Sequence, residues 1–200
     1  SNQSTAANQG NKMYAIHAGK AALNAHYKRI GWNARAQEGA VDGWYQTKFT
    51  LKEEPLVSIL IPNKDHTDDL DVCLNSFFER ADYQNYEFII IENNSVLPET
   101  FAYYEKIEKE HDNVKVVYWE AGFNYSAINN FGFKFAKGDY IMLLNNDVEL
   151  ITPDIFQSML GFCMRPEVGI VGAKLLYNDH TVQHAGVLVG AGGLADHVFK

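Results

Sequence analysis

Short runs of consecutive apolar residues alternate, from residue 55 onward, with segments in which apolar residues recur every three or four positions. Unbroken apolar runs are typical of strands buried on both faces, and the three-to-four spacing is typical of amphipathic helices. The pattern predicts strands at Val57–Pro62, Glu87–Asn93, Val114–Trp119, Asp139–Leu144, Gly169–Ala173 and Thr181–Gly190, and helices at 67–81, Pro98–Glu110, Ser126–Lys137 and 152–163.

The predicted helix boundaries rest on local signals. Thr67 or Asp68 is the predicted N-cap of the first of these helices, and Thr152 with Pro153 is the predicted start of the last. Gly138 is the predicted stop of the third. A glycine-rich turn is expected at Gly190, Gly192 and Gly193, after the last strand.

The segment before residue 55 has a different character. Helical spacing with a narrow apolar stripe covers Lys12–Ile30 and ends at Gly31. Asn33–Glu54 is expected to be an irregular connector. The predicted organisation is therefore a disordered lead at 1–11, a helix and connector at 12–54, and a main domain at 55–200.

Strands that alternate with helices indicate a mainly parallel sheet covered on both faces. The predicted fold class is α/β, a three-layer α/β/α sandwich with a mainly parallel central sheet.

Composition narrows the functional classes. The chain has 200 residues, of which 46% are hydrophobic and 13% aromatic, which is enough for a packed core. A net charge of −8 argues against nonspecific nucleic-acid binding, which needs a basic surface. The two cysteines, Cys73 and Cys163, are interpreted as core thiols in a reducing compartment. The sequence shows neither a signal-peptide pattern nor an apolar run long enough for a membrane span, so a cytoplasmic location is expected.

Polar residues follow three of the predicted strands. The first ends in Pro62-Asn63-Lys64-Asp65, the second in Glu92-Asn93-Asn94-Ser95, and the fourth in Asn145-Asn146-Asp147. In a parallel sheet these ends meet at one edge, where open α/β sheets bind ligands. So many carboxylates repel each other unless a cation or hydrogen-bond donors are present, which suits a nucleotide held with a divalent metal. The alternative is a set of Asx-rich turns that close the strands.

Two common phosphate-binding motifs are absent. The first strand is followed by PNKDHTDD, which contains neither the G-x-G-x-x-G turn of dinucleotide-binding folds nor a G-x-x-x-x-G-K-[ST] loop. Phosphate binding therefore requires a metal or a side chain, and Lys64 is one candidate.

The motifs PLVSILIPNKD, FIIIENNS, INNFGFKFAKGDY, IMLLNNDVE, RPEVGIVGAKLLY and VQHAGV, in this order, resemble family 2 glycosyltransferases with the GT-A fold. The resemblance extends from Pro55 to the C-terminus. Within that family the chain is similar to bacterial enzymes of surface-polysaccharide synthesis, such as rhamnan and O-antigen transferases. The N-terminal helix and connector resemble the segment that precedes this domain in multi-domain members.

The resemblance implies a role for individual residues. Glu92 replaces the aspartate of the family's D-x-x-S element, Asn145 replaces the first acid of its D-x-D signature, and Asp147 is the implied ligand of Mg²⁺ or Mn²⁺. Asn130 and Gly132 match the N-x-G of the helix before the metal-binding strand. The full set of implied nucleotide-sugar-binding residues is Pro62, Asn63, Asp65, Glu92, Ser95, Asn130, Asn145, Asn146 and Asp147.

The resemblance also implies an activity: inverting transfer of a sugar from a nucleoside diphosphate to a saccharide or lipid-linked acceptor, in cell-surface polysaccharide synthesis. The family's general base is expected beyond Lys200, so the chain is interpreted as a donor-binding fragment, truncated at the C-terminus and inactive alone. Peripheral association of the full-length protein with the inner face of the membrane and pairing of two copies through an open sheet edge are further expectations. Two alternatives remain, a non-catalytic nucleotide-sugar-binding or assembly module and, ranked last, a nucleotidyltransferase.

Overall fold

The computed structural model describes residues 13–190 and 193–197, which form two compact units. The sheet unit comprises Lys52–Ile155, and the terminal unit comprises the chain before and after it. The elements in chain order are α1 Met13–Arg29, β1 Ala34–Glu38, β2 Tyr45–Phe49, β3 Val57–Asn63, α2 Thr67–Arg80, β4 Tyr86–Glu92, α3 Pro98–Glu110, β5 Val114–Tyr118, α4 Tyr125–Phe133, β6 Tyr140–Leu143, α5 Ile155–Cys163, β7 Leu175–Leu176, β8 Val182–His184, β9 Val187–Val189 and β10 Ala195–His197.

The sheet unit is built on four parallel strands in the order β5-β4-β3-β6. The central strands β3 and β4 are almost wholly buried, as their unbroken apolar sequences require. The chain moves outward from β3 through β4 to β5, then returns to place β6 on the other side of β3. The strand order therefore reverses at β3.

Helices cover both faces of this sheet. Ile89 and Ile91 of β4 pack in one cluster with Ile128 of α4. Phe88 lies on the opposite face, because successive strand residues alternate, and its ring contacts Phe77 of α2 at 5.6 Å between centroids. The predicted three-layer sandwich with a mainly parallel sheet is confirmed.

Several helix ends differ from their predictions. Helix α2 is capped by His66, in the left-handed region at φ 47°, and not by the side chain of Thr67 or Asp68. Helix α4 ends at Phe133, and tighter turns carry the chain to Gly138, which is therefore not its stop. Helix α5 begins at Ile155, after a turn closed by the bond from its amide to the carbonyl of Thr152.

The predicted irregular connector at Asn33–Glu54 is wrong. Strands β1 and β2 form an antiparallel hairpin, with Glu38 opposite Tyr45, and Gly43 in the turn has φ 81°. The strands of this hairpin have a polar composition and contain no run of consecutive apolar residues, so the sequence pattern did not predict them. Within the same terminal unit, the hydroxyl of Tyr45 donates to the carbonyl of Ile16 in α1.

The strands at the end of the terminal unit also differ from their predictions. No strand covers Gly169–Ala173; instead Leu175 pairs with His184. The predicted strand at Thr181–Gly190 is divided into β8 and β9 at Gly186, which has φ 135°. Gly190 and Gly193 also have positive φ, whereas Gly192 and the predicted lead at 1–11 lie outside the described residues.

Two general features complete the fold. Cys73 is fully buried, which raises the pKa of its thiol to about 12, and Cys163 is half-buried; both are free. None of the helices within 13–190 has the length and hydropathy needed to cross a bilayer.

Candidate functional site

The three polar strand ends meet around Asn63, the last residue of β3. The amide of Asn93, just after β4, donates to the carbonyl of Asn63 at 2.9 Å. On the other side, the Asn146 side chain donates to Oδ1 of Asn63 at 2.7 Å. The predicted convergence is therefore present, and it lies at the strand where the sheet order reverses, the usual ligand position in open α/β sheets.

A continuous chain of side-chain hydrogen bonds links these strand ends. Nδ2 of Asn63 donates to the Tyr104 hydroxyl at 2.8 Å, and this hydroxyl donates to Oε2 of Glu92 at 2.8 Å. With the bond from Asn146, the chain runs from β6 across β3 to β4, with Tyr104 of α3 as the bridge. Asn63 is 3% exposed and Tyr104 is 1% exposed, so this network is a buried floor.

The Glu92 carboxylate is occupied within the protein. Oε1 accepts from the amide of Ser95 at 2.5 Å, and Oε2 accepts from the hydroxyls of Ser95 and Tyr104. The residue is only 3% exposed. Glu92 and Ser95, the two ends of the D-x-x-S-like element, are therefore hydrogen-bonded to each other. We call this pair a brace, because it fixes the turn after β4.

Asp65 has a comparable bracing role on the β3 side. Its Oδ1 accepts from the amides of Val96 and Leu97 and from the hydroxyl of Thr100, at 3.0–3.2 Å, just ahead of and within the first turn of α3. Burial alone raises the pKa of Asp65, but these hydrogen bonds outweigh it and hold the pKa below its usual value. The Asp65 amide in turn donates to the Ser95 hydroxyl, so the two braces are joined.

A cleft of about 210 Å³ opens over this floor. Three of the predicted residues line it: Pro62, Asn63 and Asn146. Its other lining residues are Lys64, His66, Asn93 and Phe123. Lys64 and Asn93 stand in the polar strand ends and were recognisable from that position, whereas His66 carries no such signal.

The remaining predicted residues lie outside that lining. Asn130 is on the exposed side of α4, and Asn145 and Asp147 are exposed at the end of β6. Asp147 directly follows the cleft residue Asn146. No hydrogen bond reaches the Asp147 carboxylate from the residues that the structure describes.

The donor set fits a metal that is shared with a substrate. Among residues 13–190 and 193–197, no group of three His, Cys, Asp or Glu side chains could enclose a metal. Mg²⁺ is commonly held by one or two carboxylates together with substrate phosphates, so a single unoccupied carboxylate beside the cleft meets that requirement. Asp147 is the residue that would hold the ion.

The model of the family Glycosyl transferase family 2 matches residues 58–187, and the chain belongs to this family. The predicted resemblance is confirmed.

Two curated relatives are each 40% identical to the chain. They are the uncharacterized protein y4gI of Sinorhizobium fredii, over 97% of this chain, and the O-antigen biosynthesis protein RfbC of Myxococcus xanthus, over 92% of it. The chain spans only 22% and 14% of their respective lengths.

The fold is also that of a solved structure, the mannosyltransferase PcManGT of Pyrobaculum calidifontis in complex with GDP-Man and Mn²⁺. The TM-score is 0.54 at 14% identity, over 78% of this chain and 43% of that one.

Proposed function

We propose that the cleft at the ends of β3, β4 and β6 binds the nucleoside-diphosphate part of a sugar donor. The observation that carries this proposal is the buried hydrogen-bonded chain from Asn146 through Asn63 and Tyr104 to Glu92. It fixes three strand ends in one arrangement, as a preorganised site requires. Family membership supplies the reaction class.

The site residues divide into two roles. Glu92, Ser95 and Asp65 are positioning residues, because their polar atoms are taken up in bracing the floor. Asn93 and Asn146 also line the cleft. The NH2 group of Asn93 is taken up by the carbonyls of Trp119 and Ala121, so Asn93 offers its Oδ1 as an acceptor. Asn146 uses one N–H on Asn63 and has a second N–H and its Oδ1 for the edge of a base or a ribose hydroxyl. The positively charged Lys64 at the same cleft suits phosphate.

The cleft is smaller than the roughly 300–1,000 Å³ of typical ligand pockets. A volume of about 210 Å³ suits part of a donor, and the diphosphate would extend from it toward exposed Asp147. A Mg²⁺ or Mn²⁺ ion on Asp147 would neutralise the diphosphate and stabilise it as a leaving group.

The wider function is proposed on the family and on the relative named for O-antigen biosynthesis. The proposed activity is transfer of the sugar, with inversion, to a saccharide or lipid-linked acceptor during polysaccharide synthesis. In this reaction a carboxylate acts as the general base and deprotonates the acceptor hydroxyl. A cytoplasmic location, peripheral membrane association and pairing of two copies through an open sheet edge belong to the same proposal.

Titration calorimetry with UDP, dTDP and GDP, each with Mn²⁺ or with chelator, tests the donor site. We expect at least one nucleotide to bind, and to bind more tightly with Mn²⁺. Asp147→Asn should remove that enhancement while it leaves the fold intact, because it replaces only one carboxylate oxygen by an amide group.

Asp139→Asn is the matched control, since Asp139 is another exposed carboxylate at the opposite end of the same strand. It removes the same charge and should leave the enhancement unchanged. Equal affinities in Mn²⁺ and chelator would refute the metal role, and failure of all three nucleotides to bind would refute the donor site.

A further inference from the structure

Phe123 is an exposed aromatic residue at the mouth of an otherwise mainly polar cleft. It lies in the loop between β5 and α4, and its exposed fraction is 70%. The other lining residues are amides, two basic side chains and one proline. Among the exposed large apolar side chains of the described residues, Phe123 is the one that lines this cleft.

Hydrogen bonds to the residues after β4 hold one side of the loop that carries Phe123. The Asn93 side chain donates to the carbonyls of Trp119 and Ala121 at 3.2 and 3.0 Å, and the Asn94 side chain also donates to Ala121 at 3.0 Å. The indole of Trp119 donates to the carbonyl of Gly122 at 3.2 Å. The backbone on which the ring stands is therefore fixed to the end of β4.

The loop is equally fixed on its other side. Asn124, the next residue, caps α4, and its side chain accepts from the amide of Ala127 at 3.0 Å. Phe123 is thus presented at the cleft by a short segment anchored at both ends. A ring on an anchored backbone loses little conformational freedom when a ligand covers it, which favours binding.

From this geometry we infer that the Phe123 ring stacks on the face of the donor's nucleobase, while the amide side chains of the cleft read the base edge. The inference rests on the proposed function and adds to it the residue that recognises the base. A flat ligand with an apolar face and a hydrogen-bonding edge matches this lining. Stacking on aromatic side chains suits every base, so Phe123 contributes affinity and leaves base choice to the amides.

Calorimetry with the full chain, Mn²⁺ and whichever of UDP, dTDP and GDP binds the wild type most tightly tests the inference. Phe123→Ala should weaken nucleotide binding by about tenfold or more, within the range found for loss of base stacking. Phe123→Trp should retain most of the affinity. Inorganic diphosphate with Mn²⁺, which has no base, should bind wild type and Phe123→Ala equally.

Phe133→Ala is the matched control, because Phe133 is 58% exposed on the adjacent helix α4 and does not line the cleft. It should leave nucleotide affinity unchanged.

Three results would overturn the inference. Unchanged nucleotide affinity in Phe123→Ala would overturn the inference but not the proposed donor site. The same holds if Phe123→Ala weakens the binding of inorganic diphosphate as much as it weakens the binding of the nucleotide. If the wild type binds no nucleotide, the proposed function fails first, and the inference fails with it.

Discussion

Asn63 is the residue around which the site is organised. Its Nδ2 donates to the carbonyl of Asp65 and to the Tyr104 hydroxyl, and its Oδ1 accepts from Asn146. Only an amide side chain offers two donors and an acceptor at this length, so neither aspartate nor leucine could replace it. At 3% exposure, water cannot restore any bond that is lost.

Tyr104→Phe should lower the free energy of unfolding by about 1–3 kcal/mol, the cost of leaving buried polar groups without a partner. The change removes one hydroxyl and leaves Asn63 and Glu92 each short of a hydrogen bond. Urea denaturation of both proteins measures the difference.

Tyr103→Phe, one residue earlier on α3, is the control. Tyr103 is half-buried and its hydroxyl donates to Asp71 at 3.1 Å, outside the Asn63 network. A smaller loss is expected there, and equal losses in the two variants would contradict a special role for Tyr104.

Asp65 should make the stability of the fold sensitive to acid. Its pKa is lower in the folded protein than in the unfolded chain, so its stabilising contribution is complete above the usual aspartate pKa of about 3.9. The contribution is lost as the pH falls through the lower pKa of the folded state. Unfolding free energies of wild type and Asp65→Asn between pH 3 and pH 7 should therefore differ most at neutral pH and converge at the acid end.

Asp68→Asn, at an exposed aspartate of α2, controls for the loss of one carboxylate. A constant difference between wild type and Asp65→Asn over the whole pH range would show that titration of Asp65 does not contribute.

The sequence predicted which residues lie at the site better than it predicted what each of them does there. Polar strand ends were visible because apolar runs stop abruptly at Asn63, Glu92 and Asn145. The internal use of Glu92 was not visible, because its partner Tyr104 lies on the following helix, 12 positions along the chain, and no local pattern pairs the two residues.

At the scale of elements, the connection between α4 and β6 shows how closely the layers fit. A Cβ atom on Gly138 would lie 2.5 Å from the carbonyl oxygen of Leu56 and 2.7 Å from the amide nitrogen of Ser58. The Gly138 amide also donates to the Ser58 hydroxyl at 2.8 Å. The glycine was predicted as a helix stop, but its structural reason is the close approach of the chain to the start of β3.

Gly138→Ala should destabilise the sheet unit by about 1–3 kcal/mol, the usual cost of overpacking, because the nearest atoms belong to the backbone at the start of the central strand β3. Chemical denaturation provides the measurement. Gly122→Ala is the matched control, since a Cβ there meets no atom within 4 Å and should change stability little. Similar effects of the two substitutions would contradict the packing argument.

Strands were predicted well where burial on both faces requires a run of apolar residues, and poorly where the strand is polar. Both ends of the long buried strands β3 and β4 were predicted to within one residue. The hairpin of β1 and β2 was missed, because strands such as ARAQE have a polar composition and are stabilised by contacts distant in sequence. Helix ends were displaced where backbone turns, rather than side-chain caps, begin or end the helix.

For the whole molecule, the order of motifs was more informative than any single motif. The sequence predicted a parallel sheet with polar strand ends but contained no glycine-rich phosphate loop, which argued against the common nucleotide-binding folds. The resemblance to family 2 glycosyltransferases was then confirmed by the family match. The division into the sheet unit and the terminal unit was not apparent from the sequence, since the terminal unit joins segments from both ends of the chain.

The pairing of β3 with β6 has a consequence for how the molecule forms. The Asn63–Asn146 hydrogen bond joins residues 83 positions apart, whereas β4, the other neighbour of β3, is much nearer along the chain. Long-range parallel pairing is slow, because the entropy of loop closure is lost before the new contacts compensate for it. We therefore expect β6 to dock late in folding, so that the chain acquires its ligand-binding edge at one of the last steps of maturation.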